Sequence, residues 1–298
     1  MRPLFIAEVS SNHACDLNRC FKFIEASAKT GCDGVKFQLF KVDKLFAPEI
    51  LIQSEEHRRR RQWELPEEFI PKIAGKCREC GIGFSCTPFY LEAVDVLVPY
   101  VDFFKIASYE LLWDDLLIAC AQTGKPVVLS TGMADMDEIS AAVDVLRIGG
   151  CRDLTLLHCV SGYPAPHDQA NLAAMDLMKK KFSCKTGWSD HTVEEGVIYR
   201  AVHKYEAGMI EFHLDLDKHG AEFSSGHCWL PEQVERMIRN VRIGFGADGD
   251  GRKIPVAAEL PDRDWRADPG DGLRPLKSVR KLWERGTDTN DACNHSGS

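Results

Sequence analysis

A (β/α)8 barrel of the α/β class, a TIM barrel with an extended C-terminal tail, is the fold this sequence predicts. Three observations carry the expectation. Short apolar, β-rich runs alternate with amphipathic helical runs eight times. Each βα pair takes roughly 30 residues, the repeat of a barrel rather than of an open sandwich. Polar residues gather at or just after the end of each strand run, where barrel enzymes place their chemistry. A chain of 298 residues with 44% hydrophobic content is long enough for one large core.

The elements follow in order. LFIAEV makes a first strand, Leu4 to Val9, and Asp16 opens a helix over 16–30 that Gly31 stops. GVKFQL makes the second strand, Gly34 to Leu39, and Pro66 with Glu67 and Glu68 starts a helix over 66–80 that Gly81 ends. Further strands are expected at Gly83 to Thr87, Phe103 to Ala107, Pro126 to Ser130, Leu154 to His158, Cys184 to Ser189 and Met209 to Phe212. The helices between and after them fall at 90–98, 113–123, 135–147, 171–181, 193–205 and 231–245, with Gly124 and Gly149 as stops and Pro231-Glu232 as the last start. The barrel is thus expected over 1–247, a Gly-, Pro- and Asp-rich strap over 248–284, and a disordered end over 285–298.

A formal net charge of -8 argues against nucleic acid as a partner, because phosphate-backbone binding needs a basic field. The basic run from His57 to Arg61 is either a solvated face or an anion site. No window reaches the roughly 18 apolar residues of a membrane helix, and the apolar run after Met1 lacks a cleavage site, so no membrane partner and a cytoplasmic location are expected. The 12 cysteines show no disulfide framework; Cys77 and Cys80 form one C-x-x-C pair, but inside a predicted helix and without a second pair downstream.

Collected by strand, the residues at the expected barrel mouth are Glu8 with Asn12 and His13, Lys36 and Gln38, Thr87, and Lys105 with Ser108 and Glu110. Then come Ser130 and Thr131, His158 with Ser161 and Tyr163, Ser189 with His191, and Glu211 with His213. His191 and His213 end neighbouring parallel strands, so their imidazoles emerge at one edge, a geometry that suits a divalent ion. The alternative is that His191 caps a helix and His213 merely ends a strand. Lys36 and Lys105 sit within apolar strands, and a buried ammonium is costly unless something negative meets it. That partner is an anionic ligand or a structural carboxylate. Thr87, Ser108, Ser130 and Ser189 can donate to phosphate or carboxylate oxygens without adding charge. Asn171, after the YPAP loop, is either a helix cap or an anion contact at a helix amino end. Glu8, Glu110 and Glu211 are candidate acid/base groups.

Several co-ordered segments together resemble the sialic acid synthase family, which condenses phosphoenolpyruvate with an N-acylated amino sugar to make nonulosonic acids. They are IAEVSSNHACDL, GVKFQLF, FSCTPF, FKIASYE, GKPVVLSTGMA, LLHCVSGYPAP with Asn171-Leu172, GWSDHT and IEFHLDLDK, covering residues 4 to about 245. The resemblance implies that Lys36, Thr87, Lys105, Ser108, Ser130, Asn171 and Ser189 hold phosphoenolpyruvate. It implies His191 and His213 as ligands of Mn2+ or Mg2+, Glu8 as the acid/base near the reacting carbons, and Gln38 and Glu110 as groups that position water or sugar. It implies a sugar in its aldehyde form as second substrate, and a homodimer.

Two departures bear on the acceptor. Where the family has Gly-Pro-Asp-His after the second metal histidine, this chain reads HGAEFSSGHCWLPEQ, so that Glu222 stands for the aspartate, Phe223 takes the histidine's place and His227 follows later. The family's antifreeze-like domain, whose arginine holds the N-acyl group, is expected to be lacking. Arg263, Arg266 and Arg274 in the strap are expected to supply a cationic contact at a barrel mouth, or else the strap packs Trp265 on the barrel's outside. The function expected is therefore a transferase joining phosphoenolpyruvate to an N-acyl amino sugar. Its alternatives are another aldose or sugar phosphate as acceptor, a non-catalytic sugar- or phosphate-binding descendant, and an aldolase using pyruvate.

Overall fold

In the structure, a computed structural model that describes residues 2–287, eight parallel strands close into a barrel in the order β1 to β8. They are β1 (Leu4–Glu8), β2 (Gly34–Leu39), β3 (Gly83–Pro88), β4 (Phe103–Ile106), β5 (Val127–Ser130), β6 (Leu154–Cys159), β7 (Lys185–Asp190) and β8 (Met209–His213). The principal helices are α1 (Leu17–Thr30), α2 (Ile70–Cys80), α3 (Leu91–Leu97), α4 (Asp114–Gln122), α5 (Met136–Ile148), α6 (Ala174–Phe182), α7 (Glu195–His203) and α8 (Pro231–Ala247). Their start and stop signals act as expected at several ends. Asp16 accepts from the amides of Asn18 and Arg19, and Gly31 and Gly81 close α1 and α2 with positive φ, where a Cβ would be strained.

The period of two along each strand sorts the chemistry. Phe5, Ala7, Val35, Phe37, Phe84, Cys86, Phe104, Ile106, Trp188, Ile210 and Phe212 face outward into the layer shared with the helices, forming the main core. The opposite parity points into the barrel. Its floor is a small apolar plug of Ile6, Val128, Leu157 and Met209. The same parity one step along the strands carries Glu8, Lys36, Lys105, Ser130, Ser189 and Glu211, so these polar side chains are buried because the plug beneath them closes the barrel. Strand register sets their neighbours: Glu8 pairs with Lys36 on one side and His213 on the other, and Ser189 pairs with Glu211.

Two expectations change and one alternative is decided. Residues 40–65 carry three short helices, Val42–Leu45, Pro48–Gln53 and Glu55–Arg59, where no element was expected. In the basic run, Arg59 pairs with Glu55 and Arg61 with Asp43, the solvated-face alternative. The helix expected from 171 begins at Ala174, so Asn171 is not its cap; Ala173 is.

The chain divides into two compact units, Met1–Gly246 and Ala247–Ser298. Within the second, helix α9 (Lys277–Thr287) and two single turns occur where an extended strap was expected, and Trp265 meets Trp283 of the same unit edge-on at 6.2 Å. The end expected to be disordered lies, from 288 on, outside the described residues. No helix among the described residues is long and apolar enough to cross a membrane.

Candidate active site

Four charged groups form the floor of the barrel mouth. Lys36 Nζ contacts the Glu8 carboxylate and donates to Thr87 Oγ1 at 3.2 Å, and Lys105 Nζ donates to Glu211 Oε1 at 3.0 Å. Lys36 also lies 4.0 Å from Glu211, and Ser189 Oγ donates to the same Glu211 oxygen at 3.2 Å. Both buried lysines therefore have structural carboxylate partners, and their burial alone does not require a ligand. Burial opposes ionisation of Glu211, but the Lys105 and Lys36 ammonium groups outweigh it and hold the carboxyl below its usual range. Glu8 is oriented by the Ser10 amide at 2.8 Å and by Gln38 Nε2 at 3.2 Å, both donating to its Oε1.

The sector formed by the ends of β4, β5 and β6 is different, because its polar groups outnumber their partners. Ser130 Oγ, Ser161 Oγ and Glu110 Oε2 are buried with no hydrogen-bond partner among the described residues, each at a cost of about 1–3 kcal/mol. Ser108 Oγ accepts from the Gly132 amide at 3.0 Å and lies 3.2 Å from Cys159 Sγ. A Cβ on Gly132 would fall 2.3 Å from Ser161 Oγ and 3.0 Å from Ser108 Oγ, so only glycine lets this backbone approach the hydroxyls. Burial pushes the Glu110 carboxyl up to about 7 against the opposing Lys105 charge.

The imidazoles of His191, His213 and His227 line the opposite side. His191 donates from Nδ1 to the Val160 carbonyl at 2.7 Å, which leaves the Nε2 lone pair as its free ligand atom. His213 donates from Nδ1 to Glu222 Oε2 at 2.9 Å, with the same consequence. The two ring centroids are 5.4 Å apart. Burial, with the neighbouring His213 adding to it, lowers His191 to about 3, so it is neutral and available as a ligand. The donor set fits a divalent ion: neutral imidazoles with one nitrogen anchored and the other unprotonated, beside a carboxylate. Tyr163 covers them, its ring 4.2 Å from His191.

The expected residues thus converge, apart from Asn171 and His158. Glu8, Lys36, Gln38, Thr87, Lys105, Ser189 and Glu211 form one hydrogen-bonded cluster, and Ser108, Glu110 and Ser130 border it. His191, His213, Tyr163 and Glu222 make the imidazole side. Asn171 stands apart: it is exposed, has φ 44°, and lines a cavity with His167, Arg200 and Tyr205. His158 faces outward and ties Ala170 O at 3.0 Å, so it supports the loop. Asp190, next to His191, accepts from both the Trp188 and Trp229 indoles at 2.9 Å, which fixes the end of β7. Sequence reasoning assigned no role to Ser10, Gly132 or Cys228; the glycine after Ser130-Thr131 was the signal for the close approach of backbone to the Ser108 and Ser161 hydroxyls.

Comparison with known proteins gives a consistent picture. Residues 23–253 match the model of the NeuB family. The chain is 36% identical over 271 residues to an N,N'-diacetyllegionaminic acid synthase of Campylobacter jejuni, covering 87% of this chain and 81% of the relative. It is 38% identical over 260 residues to an uncharacterised protein of Methanocaldococcus jannaschii, covering 86% and 75%. A crystal structure of N-acetylneuraminic acid (sialic acid) synthetase from Leptospira borgpetersenii superposes with a TM-score of 0.78 at 28% identity, covering 89% of this chain and 92% of that one.

Proposed function

For this chain, which belongs to the NeuB family, we propose the condensation of phosphoenolpyruvate with the aldehyde form of an N-acyl amino sugar, giving a nonulosonic acid and phosphate. The observation that supports this reading is a pair of buried hydroxyls, Ser130 and Ser161, that have no partner among the described residues and lie beside two lysines already balanced by Glu8 and Glu211. A trianionic donor substrate supplies enough oxygens for all of them. Lys36 and Lys105 neutralise its charge, and Thr87, Ser108, Ser130 and Ser189 orient it without adding charge of their own.

The balance of atoms is simple. The methylene carbon of phosphoenolpyruvate bonds to the aldehyde carbon, water adds its oxygen to the neighbouring carbon, and the carbon–oxygen bond to phosphate breaks. Of the two water protons, one ends on the former aldehyde oxygen and one on phosphate. Glu8, held by the Ser10 amide and Gln38, takes a proton from that water in this reading. Glu110, with its carboxyl raised to about 7, retains a proton near neutrality and can give it up. When bound, a divalent ion on His191 and His213, manganese or magnesium by the resemblance, supplies a Lewis acid for the aldehyde oxygen.

The test is phosphate release from phosphoenolpyruvate with N-acetylmannosamine and a panel of other aldoses, in the presence of divalent ions, for the natural chain and His191→Ala. Acceptor-dependent release that disappears in the variant is expected. Absence of release with every acceptor and ion contradicts the reading, and release with a plain aldose but no N-acyl sugar moves the activity to the alternative acceptor class.

A further inference from the structure

Ser10, the first residue of the single turn that follows β1, has a backbone that its residue type disfavours. Its φ is 46°, in the left-handed region where a Cβ is strained, and it is only 3% exposed. Glycine takes this conformation at no steric cost, so what singles out serine is its hydroxyl. Two bonds leave this residue, one from the backbone and one from the side chain. The amide donates to Glu8 Oε1 at 2.8 Å, and the hydroxyl donates to Glu222 Oε1. The other Glu222 oxygen, Oε2, accepts from His213 Nδ1 at 2.9 Å and lies 3.6 Å from His227 Nε2. One strained residue therefore stands between the proposed base and the carboxylate that orients His213.

The loop that carries Glu222 does not depend on Ser10 for its course. The Glu222 amide donates to Asn12 Oδ1 at 2.9 Å, and Asn12 Nδ2 donates to Leu214 O at 2.9 Å. Arg19 donates to the Asn12 carbonyl at 2.6 Å and to Asp215 at 3.1 Å. At the far end of the loop the Trp229 amide donates to His213 O at 2.8 Å and its indole to Asp190 at 2.9 Å. That Trp229 anchor also fixes the two buried residues before it, His227 and Cys228. What Ser10 adds is the direction of the Glu222 carboxylate. The last torsion of a glutamate is broad, so a bond to one oxygen alone leaves the group free to turn, and a second bond to the other oxygen stops it. A fixed carboxylate in turn sets the His213 ring and keeps its Nε2 as the lone pair.

We propose that Ser10 is a positioning residue shared by the two sides of the mouth: its hydroxyl locks the Glu222 carboxylate that orients His213, and its left-handed backbone carries the amide that orients Glu8. This rests on the metal role proposed above for His213, but one of its readouts needs no turnover.

Metal-free full-length chain is titrated with Mn2+ by calorimetry, and phosphate release from phosphoenolpyruvate is followed at saturating Mn2+, for the natural chain, Ser10→Gly, Glu222→Ala and the double variant. Ser10→Gly keeps the backbone and loses only the hydroxyl. It is expected to weaken Mn2+ binding and to lower kcat, each about tenfold, while KM for phosphoenolpyruvate moves less than about twofold, because Lys36, Lys105 and the hydroxyl sector are untouched. Since Ser10 acts through Glu222, the double variant is expected to bind Mn2+ as Glu222→Ala does. Thermal melting checks that the variants fold; should Ser10→Gly not fold, Glu222→Ala decides, with weakened Mn2+ binding supporting the proposal and unchanged binding overturning it. Mn2+ affinity or kcat unchanged in folded Ser10→Gly, losses that multiply in the double variant, or no Mn2+ binding by the natural chain overturns the proposal. Turnover by the natural chain with Mn2+ affinity unaltered in Ser10→Gly removes this inference and leaves the synthase reading standing, whereas the affinity loss without turnover in any chain does the reverse.

Discussion

Lys105 and Glu211 face one another at 3.0 Å inside the barrel, both almost wholly buried, and each stabilises the other only while both are present. Replacing one partner strands the other charge in a poor solvent. Lys105→Met is therefore expected to lower stability by about 3–5 kcal/mol, read by chemical denaturation, and to abolish calorimetric binding of phosphoenolpyruvate in whatever fraction stays folded. Unchanged binding would remove Lys105 from the anion site. Glu110 gives a pH-dependent test of the same kind. Its folded-state carboxyl is raised to about 7 from an ordinary value of 4.5, so the folded chain binds the extra proton. The stabilisation from this group is full below 4.5 and is lost as pH rises through about 7. Melting temperature measured between these limits should fall more steeply with pH in the natural chain than in Glu110→Gln, and equal slopes would place the titration elsewhere. The positions of both lysines were legible from their place in GVKFQLF and FFKIAS. Their carboxylate partners were not, because the Glu8–Lys36 pair depends on the register of β1 against β2 and the Lys105–Glu211 pair on closure of the barrel, which no local pattern records.

At the scale of elements, the strands were the most legible part. Each is a short apolar run bounded by turn residues, and in β1, β2, β4 and β8 the parity of the charged residues names the inward face. His158 in β6 and Asp190 in β7, by contrast, are polar residues on the outward parity. The segment between β2 and α2 was not legible, since Val42–Leu45, Pro48–Gln53 and Glu55–Arg59 are each too short to show a helical period. Nor was the role of the loop after β8, where His227 and Cys228 are placed by the Trp229 anchor and not by spacing from His213. The turn after β5 makes a sharper demand. Gly132→Ala brings a Cβ to 2.3 Å from Ser161 Oγ and 2.9 Å from Cys159 Sγ, so the hydroxyl sector must move. A stability loss of about 1–3 kcal/mol is expected, together with a KM for phosphoenolpyruvate raised about tenfold or more, since small displacements at a reacting centre are expensive. Steady-state kinetics checks this, and an unchanged KM at normal stability would mean that the sector lies outside the donor-binding site.

The barrel as a whole explains why so polar a cluster survives burial. The plug of Ile6, Val128, Leu157 and Met209 seals the floor, the outward parity supplies the main core, and the charged layer above is left facing the mouth. Stability and chemistry are thus carried by alternate residues of the same strands, a division that a closed sheet permits and that put the expected site at the strands' carboxyl ends. The proposed condensation breaks one bond there, the bond between carbon and the bridging oxygen of phosphoenolpyruvate. The most direct test is to supply phosphoenolpyruvate labelled with 18O at that oxygen, together with an accepted aldose, and to follow the label by mass spectrometry. The label is expected to leave entirely in phosphate, and only when the acceptor is present. Label found in the organic product, or phosphate formed equally without an acceptor, would contradict it.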